Sequence, residues 1–467
     1  MINLHEYYAH DAVRKRMVQF LGSKCLEDAT SCFLTSANCS PVPDYHPRMP
    51  TELWSCLDQD MEVKRSLWDR RSLIIHIDIE YVNFDYPAEP YIDPLRSLEL
   101  QRPVVRCLQE HLLDYGISPL HLLSGRGHHL IWRVNRSSEA FRRLASLGIL
   151  VDTLSDIYQV DMPPHREPVG VEIGAAFAGV GQVMEYLAHV VLSEVSSQCP
   201  IPIQITEVET SQGLRGREIL SLDLSEYGDP LHTRIISIPF SAYHKPVQRR
   251  DVLGSHVVDE LPPFFLVPLF EMDDRTGLLA MRDPLQAVEI ARYASVEIPE
   301  HNEGTLALTE SYAKSQTAAF HRWFYSQKHE SPKHWPDTYD KMPLDSLPPC
   351  AQKLLVEPND SLLKPKGIRH IVRVLMGLDW HPRHIAGLIR SKYERDYGWG
   401  NLFFHYDAAT RADFYTRLFA GLIELGLDDL NDFRCQDILS AEECADGTCD
   451  NYLNQLREKL MERENYE

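Results

Sequence analysis

The segment "SLIIHIDIEYVNFD", residues 72–85, has the apolar pattern of a buried strand, but two carboxylates interrupt it. Side chains alternate between the two faces of a strand, so Asp78 and Glu80 share one face while Ile77 and Ile79 share the other. Two like charges this close repel each other unless a cation lies between them. Mg²⁺ and Mn²⁺ prefer such hard oxygen ligands. The segment therefore predicts either a divalent-metal site or a strand with a merely hydrated polar face.

The composition is typical of a soluble globular protein. The chain has 467 residues, 44% of them hydrophobic, and a formal net charge of −21. We see no secretory signal and no apolar run near the roughly 20 residues of a membrane span, so we expect a cytoplasmic protein without a membrane partner. Its ten cysteines should then be thiols or metal ligands. The acidic charge excludes a generally basic surface, so any nucleic-acid site must be local.

The texture of the sequence divides the chain into three regions. Residues 1–250 begin with a helical pattern, pass through an irregular stretch at 21–60, and then alternate strand-like and helical runs. This mixture predicts an α+β domain with mixed sheets. Residues 251–345 are acidic and rich in proline, which is typical of a connecting region. Residues 346–467 have a mainly helical pattern and form the predicted carboxyl-terminal domain.

A second motif is "LLSGRGHHLIW", residues 122–132. A strand enters a Ser-Gly-Arg-Gly turn and a second strand leaves it. The glycines allow the backbone to approach a ligand closely, and its N–H groups can face phosphate oxygens. Arg126 and His129 add charged donors. The alternative is an ordinary tight turn, because Gly-x-Gly alone is a weak signal.

A third motif is "EILSLDLSEYGDPLHTRIISIPFSAYHKP", residues 218–246. Alternating leucines place Asp223 on the polar face of a predicted strand, and Gly-Asp-Pro offers a turn. The following strand leads to a series of polar groups, namely Arg234, Ser241, His244 and Lys245. The segment is either an ordinary amphipathic hairpin with a basic end or the source of a third carboxylate for a metal site.

In this order, the three motifs resemble the catalytic core of the archaeo-eukaryotic primase superfamily, the primase–polymerases. The matching features are the acid pair, the Ser-Gly-x-Gly-x-His turn from Ser124 to His129, and the later Asp with its basic hairpin. "EYY" at Glu6–Tyr8 is similar to the opening of that family. The resemblance covers about residues 1–250 and implies an RRM-like core with mixed sheets.

The resemblance implies template-directed synthesis of short primers from NTPs or dNTPs on single-stranded DNA. Its catalytic residues would be Asp78, Glu80 and Asp223, which would hold two Mg²⁺ or Mn²⁺ ions. The resemblance implies a second group that would bind the triphosphate, comprising Ser124, His129, Arg234, Ser241, His244 and Lys245. We add Arg126 to this group because a guanidinium can donate to phosphate. A helicase or other replication proteins would be further partners of such an enzyme.

Four cysteines near the carboxyl terminus give a separate signal. They are Cys350, Cys435, Cys444 and Cys449. Four thiolates suffice for a [4Fe–4S] cluster or a tetrahedral zinc ion, and without a Cys-x-x-Cys pair the spacing does not choose between them. With "LPPC" and "RSKYERDYGW", residues 346–455 resemble the iron–sulfur domain of the primase large subunit. That resemblance implies a [4Fe–4S] cluster, although the last three cysteines are closer together than in that family.

Residues 364–395 contain eight Lys or Arg against Asp379 and Glu394. This local excess predicts phosphate contacts, with Tyr393, Tyr397 and Trp399 stacking on unpaired bases. The alternative is a solvated helix face. Four further cysteines, which fit no metal-binding pattern and are expected to be loop thiols, are Cys25, Cys32, Cys39 and Cys56.

The sequence thus favours a primase–polymerase with a fused large-subunit-like domain. Two alternatives stay open. "HIDIEY" is also similar to the Asp-x-Glu strand of metal-dependent 3′–5′ exonucleases, which need further acidic motifs. The third hypothesis is a non-catalytic metal-cluster protein that binds nucleic acid. The choice between NTP and dNTP, and the biological pathway, are not fixed by the sequence.

Overall fold

The structure is a computed structural model, and it describes residues 3–36, 44–209, 213–270, 272–395, 399, 407–434 and 449–462. The strands of these ranges are β1 (Phe33–Ser36), β2 (His46–Arg48), β3 (Glu62–Ser66), β4 (Ser72–Asn83), β5 (Leu120–Leu123), β6 (Gly127–Asn135), β7 (Asp161–Met162), β8 (Glu167–Pro168), β9 (Ile203–Ile205), β10 (Glu218–Asp223), β11 (Ile235–Ser237) and β12 (Val267–Pro268). The helices are α1 (Leu4–Tyr8), α2 (Asp11–Phe20), α3 (Leu53–Leu57), α4 (Glu89–Ile92), α5 (Pro94–Asp114), α6 (Glu139–Leu147), α7 (Asp152–Ile157), α8 (Val171–Val195), α9 (Lys245–Gln248), α10 (Arg250–Leu253), α11 (Ser255–Glu260), α12 (Asp274–Met281), α13 (Pro284–Tyr293), α14 (Asn302–Ala313), α15 (Gln316–Ser326), α16 (Pro349–Val356), α17 (Pro365–Gly377), α18 (Pro382–Tyr393), α19 (Ala408–Glu424) and α20 (Cys449–Met461).

Strand β4 lies inside a six-stranded sheet with the order β12-β5-β6-β4-β10-β9. Its apolar residues Ile77 and Ile79 are fully buried, which explains why this run forms a long internal strand. β9 and β10 are parallel, whereas the other neighbouring pairs are antiparallel. Helices α5 and α8 pack against β4. The predicted α+β class with mixed sheets is therefore confirmed.

A second, antiparallel sheet has the order β11-β3-β1-β2. Two of its strands, β1 and β2, come from the stretch 21–60, which the sequence predicted to be irregular. That expectation is wrong for these strands. They are only four and three residues long, too short to show a clear period. β1 pairs with both β2 and β3, and this pairing supplies the stabilisation that local sequence does not show.

Residues 251–345, interpreted from the sequence as a connecting region, contain helices α11 to α15 in full. These helices pack into the body of the protein. Trp132 on β6 donates from Nε1 to Thr305 Oγ1 on α14 at 3.0 Å, and His321 on α15 is 2.9 Å from Glu185 on α8. The region is thus part of the packed core and does not separate two bodies.

The carboxyl-terminal part of the chain is mainly α-helical, as predicted, and its helices pack directly on the α+β part. Arg411 on α19 donates to both carboxylate oxygens of Asp229 at 2.9 and 3.1 Å. Arg417 on the same helix donates from Nε to Glu185 of α8 at 3.0 Å. The buried apolar residues of all three predicted regions belong to one cluster. The domain boundaries inferred from sequence texture stay a prediction.

Helix α8 is unusually apolar. By length and composition alone, the helical stretch from Val171 to Gln198 could cross a membrane, although the sequence showed no uninterrupted apolar run of that length. In the structure, 78% of its most apolar window is buried inside the protein. The helix therefore has the environment of a core helix.

Candidate active site

The structure brings the three predicted carboxylates onto one face of the six-stranded sheet. Asp223 on β10 is directly opposite Asp78 on β4, and Ser221 is opposite Glu80. Residues directly opposite each other on antiparallel strands project to the same face. Asp78 and Asp223 are thus cross-strand neighbours, although 144 residues lie between them in the chain. On its other side, Asp78 is opposite His129 of β6.

This face is one wall of a cleft with a volume of about 810 Å³. The three carboxylates lie on that wall, and the other wall includes Lys64 and Ser66 of β3 together with β11. The volume is within the range of pockets that hold small-molecule ligands. Four basic side chains line the cleft, namely Lys64, Arg234, Lys245 and Arg249. The cleft therefore combines hard oxygen donors with cationic groups that suit a phosphorylated ligand.

Glu80 is neutralised by two cations. The Arg126 guanidinium contacts both carboxylate oxygens of Glu80 and reaches Glu207 Oε1 at 2.6 Å. Lys245 Nζ is 3.5 Å from Glu80 Oε1. Burial alone would raise the pKa of Glu80, but Arg126 and Lys245 outweigh it and hold the pKa well below its usual range. Glu80 is therefore ionised at neutral pH.

The position of Arg126 differs from the one expected for a side chain that donates hydrogen bonds to phosphate. Its side chain is only 4% exposed and its guanidinium is committed to Glu80 and Glu207. A buried guanidinium needs such partners because an unpaired buried charge is costly. The structure thus places Arg126 behind the acid as a neutralising group. Glu207, which the sequence did not single out, completes this ion cluster.

Asp78 has a buried carboxylate oxygen that makes no hydrogen bond within the described part of the chain. Among the described residues, Asp78 Oδ1 has no hydrogen-bond partner, and His129 Nδ1 lies 3.4 Å from it. Burial, Glu80 and Asp223 raise the pKa of Asp78 well above its usual range. An orphaned carboxylate oxygen facing a second acid is a site that a divalent cation would satisfy.

Asp223 is held by the turn that follows its strand. The backbone N–H and the hydroxyl of Ser225 donate to its two oxygens at 2.9 and 3.0 Å. Burial raises the pKa of Asp223, and the nearby Glu207 and Glu80 raise it further. The oxygen-only donor set of the three acids fits Mg²⁺ or Mn²⁺. Their ligand atoms are not all within 4.8 Å of one another in the described structure.

A chain of hydrogen bonds runs along the same face. His76 is buried between Glu226, at 2.6 Å from its Nδ1, and His129, at 2.7 Å from its Nε2. His129 in turn lies beside Asp78. Burial, with a smaller effect of His76, lowers the pKa of His129 well below its usual range. All four side chains line the cleft. The sequence reasoning did not single out His76 or Glu226.

The Gly-x-Gly turn serves strand packing. The backbone N–H and the hydroxyl of Ser124 both donate to the carbonyl of Gly127, at 2.8 and 3.2 Å. A Cβ on Gly127 would lie 1.8 Å from the carbonyl oxygen of Ile79, and one on Gly125 would lie 2.5 Å from the ring of Tyr243. The glycines thus let β6 and Tyr243 approach closely. Ser124 is buried in this turn and is not on the cleft wall.

The hairpin after Asp223 contributes only part of its predicted set. Arg234 and Lys245 line the cleft, and Arg234 Nη1 is 3.2 Å from Asp229 Oδ2. Ser241 is buried, and its hydroxyl donates to the carbonyl of Ile238 at 2.7 Å. His244 is half-buried and is not among the cleft-lining residues. Ser241 and His244 are therefore not placed to contact a ligand in the cleft.

The predicted basic patch at residues 364–395 is largely neutralised inside the protein. Arg369 and Arg373 are buried and pair with Asp428 and Asp432 at 2.5 to 3.4 Å. Further ion pairs are Lys366 with Glu209, Arg383 with Asp413, Arg390 with Glu394, and Arg395 with Asp340. Tyr393 donates to the carbonyl of Asn359. Six of the eight basic side chains thus have acidic partners, and these ion pairs do not include Lys364 and Lys392.

The predicted four-cysteine site lies mostly outside the described residues. Cys350 is buried at the start of α16, with its sulfur 3.2 Å from His370 Nε2. Cys435, Cys444, Cys39 and Tyr397 lie outside the described residues, and at Cys449 the structure describes only the start of α20. The [4Fe–4S] or zinc site stays a prediction. Cys32 and Cys56 are buried, and Cys25 contacts Asp28.

Two other groups of metal-ligating side chains occur in the described parts of the chain. One consists of Asp428, Asp429 and Asp432, and the other of Cys107, His111 and Glu194. Arg369 and Arg373 already neutralise the first group. The second group has no such cation among the described residues and lies on two helices away from the cleft.

The comparisons with known proteins give no relative. No protein-family model matches the chain, and neither a curated protein nor a solved structure matches it. The chemistry of the cleft is therefore the basis for a functional assignment. Three carboxylates beside the basic side chains of the cleft can hold divalent cations and a phosphorylated ligand. Metal-assisted phosphoryl transfer requires groups of these two kinds.

Proposed function

We propose that this protein is a primase–polymerase that synthesises or extends short primers on single-stranded DNA from nucleoside triphosphates. The observation that carries the proposal is the pairing of β4 with β10, in which Asp223 is directly opposite Asp78 and on the same face as Glu80. These are the acids to which the sequence resemblance gives the metal-binding role. The order of the motifs supports the proposal further.

Asp78, Glu80 and Asp223 are the residues that would hold two Mg²⁺ or Mn²⁺ ions. When bound, such ions activate the attacking 3′-hydroxyl and stabilise the departing pyrophosphate. Arg126 keeps Glu80 ionised and therefore ready as a ligand. Ser225 holds Asp223 by two hydrogen bonds, so its carboxylate needs little reordering on metal binding.

The basic side chains of the cleft bind the triphosphate in this proposal. Lys64, Arg234 and Arg249 line the cleft with Lys245 and can donate to phosphate oxygens. His129 is the one predicted histidine on the cleft wall, and His76 orients its ring. Four predicted residues do not contact the triphosphate in this proposal. Three of them have other hydrogen-bond partners, namely Ser124, Arg126 and Ser241, and His244 does not line the cleft.

The carboxyl-terminal helices form an accessory part in this proposal, with Cys350 and the three later cysteines holding a [4Fe–4S] cluster or zinc. Asp229 links this part to the cleft, because it pairs with Arg411 on α19 and with Arg234 on the cleft wall. The template would follow the mouth of the cleft. Because ion pairs take up much of the positive charge of residues 364–395, this proposal does not assign the template to that segment.

The first test supplies a primed and an unprimed single-stranded DNA template, labelled nucleotides, and Mg²⁺ or Mn²⁺. We expect metal-dependent incorporation by the wild type and a loss of roughly 10³-fold in Asp78→Ala, because a metal ligand contributes several kcal/mol to the transition state. Asp85→Asn is the matched control, since Asp85 follows the same strand and pairs with Arg217 outside the cleft. It should retain activity.

Two outcomes would contradict the proposal. Degradation of an end-labelled strand without incorporation would favour the 3′–5′ exonuclease, which uses a similar acid pair. Binding of single-stranded DNA with neither reaction, under both metals and with both kinds of nucleotide, would favour the non-catalytic metal-cluster protein.

A further inference from the structure

We propose that Cys107, His111 and Glu194 form a zinc site that joins helices α5 and α8. Cys107 and His111 are four residues apart on α5, so their side chains share one face of the helix. Glu194 lies in the last turn of α8, which packs against α5. One ligand atom from each residue lies within 4.8 Å of the others. This site is independent of the proposed catalytic function.

Two of the three separations between the donor atoms are close to those of a tetrahedral zinc site, and the third is within 4.8 Å. His111 Nε2 is 2.9 Å from Glu194 Oε2, and Cys107 Sγ is 3.7 Å from the same oxygen. Typical zinc–ligand bond lengths give edges of about 3.3 Å for nitrogen to oxygen and about 3.5 Å for sulfur to oxygen. Each observed separation therefore needs to change by only a few tenths of an ångström.

The donor chemistry selects zinc over the cations expected in the cleft. A thiolate, an imidazole and a carboxylate are common ligands of Zn²⁺, whereas Mg²⁺ and Ca²⁺ take oxygen ligands. Cys107 is buried, while His111 and Glu194 are partly exposed, so an ion can reach the site from solvent.

The position of the site indicates a structural role. Both α5 and α8 pack against β4, the strand that carries Asp78 and Glu80. None of the three ligands lines the cleft. Binding of an ion to the native state alone stabilises that state by mass action. Zinc at this position would therefore fix the two helices behind the acidic strand without contacting a substrate.

The test measures bound metal in the full-length protein, purified without chelators from zinc-supplemented medium. Elemental analysis of the wild type should show a zinc equivalent that both Glu194→Gln and His111→Ala lose. These changes are at exposed or partly exposed positions, and circular dichroism checks that each variant is folded. Cys25→Ser, which removes a thiol outside the cluster, is the matched control and should retain the metal.

Two further variants separate this site from the other cysteines. Cys350→Ser removes a predicted ligand of the carboxyl-terminal site and should leave the zinc of the α5–α8 site in place. Cobalt substitution of the wild type should give a thiolate charge-transfer band in the near ultraviolet that weakens in Cys107→Ser. Wild type without zinc, or equal zinc in the wild type, Glu194→Gln and His111→Ala, would overturn the proposal.

Discussion

Asp223→Asn is expected to lower metal-dependent nucleotide incorporation by roughly 10³-fold, because it removes one of the charged oxygen ligands. The substitution keeps the shape of the side chain, and its amide oxygen can still accept from Ser225. It should therefore leave the fold intact. The loss should appear with either Mg²⁺ or Mn²⁺ and in kcat more than in KM, since the missing interaction is strongest in the transition state.

Ser225→Ala is the matched control for this prediction. It removes one hydrogen bond to Asp223 but leaves the carboxylate and the backbone N–H donor in place. We expect a loss of less than about tenfold, in line with the roughly 1 kcal/mol of a single hydrogen bond. Equal losses in Asp223→Asn and Ser225→Ala would mean that Asp223 acts only through the local turn. Primer synthesis assays on both variants at saturating metal distinguish the two cases.

The second large effect concerns stability. Glu185 is completely buried on α8 and accepts hydrogen bonds from Arg417 of α19 and His321 of α15. Removing one partner of a buried ion pair typically costs about 3–5 kcal/mol, because the other charge is left unpaired. Arg417→Met should therefore strongly lower the midpoint of denaturant unfolding. Arg142→Met, which breaks an exposed ion pair with Glu139, is the control and should change it little.

The same cluster predicts a pH dependence. Burial alone would raise the pKa of Glu185, but Arg417 and His321 outweigh it and lower the pKa to about 2. Because the folded-state pKa is below the unfolded value of about 4.3, the stabilisation is present above pH 4.3 and is lost as the pH falls toward 2. Unfolding curves of the wild type and Glu185→Gln should therefore converge on acidification. Parallel curves across this range would contradict the ion-pair assignment.

The long strand and the strand that carries Asp223 were both predictable from their apolar patterns, but the pairing of the two was not. The apolar run at residues 72–85 predicts β4 because it is long and rich in β-branched residues. Strand register depends on pairing across the sheet, and no local pattern encodes that Asp223 is opposite Asp78. One additional signal was available in the sequence. His76 has the same parity as Asp78 and Glu80 and therefore had to share their face.

The number of basic residues in 364–395 predicted a nucleic-acid surface, but it does not show which of these charges have acidic partners elsewhere in the chain. The acids that neutralise Arg369 and Arg373 lie more than 50 residues later, at Asp428 and Asp432. A count of charged residues in 364–395 does not show that these charges are buried. The same limit applies to Arg126, whose partner Glu80 lies on another strand. Long-range ion pairs form only when tertiary packing brings the elements together.

Proline in residues 251–345 has more than one structural meaning. Within residues 251–345, Pro284 is the first residue of helix α13. Proline fits the first helical turn because the N–H it lacks would have no intrahelical partner there. A turn or connector and a helix start share this signal, so sequence texture alone did not distinguish them. Packing contacts such as that of Trp132 with Thr305 decide the matter.

The most direct test of the central claim counts the divalent cations that the cleft binds. Mn²⁺ titration with detection of the free ion by electron paramagnetic resonance, in the presence of a nucleoside triphosphate, compares the wild type with Asp78→Asn/Asp223→Asn. We predict that the wild type with bound triphosphate holds two Mn²⁺ ions, one more than the triphosphate binds by itself, and that the double variant loses this excess. Equal Mn²⁺ binding by two folded proteins would show that the paired acids of β4 and β10 do not form the metal site.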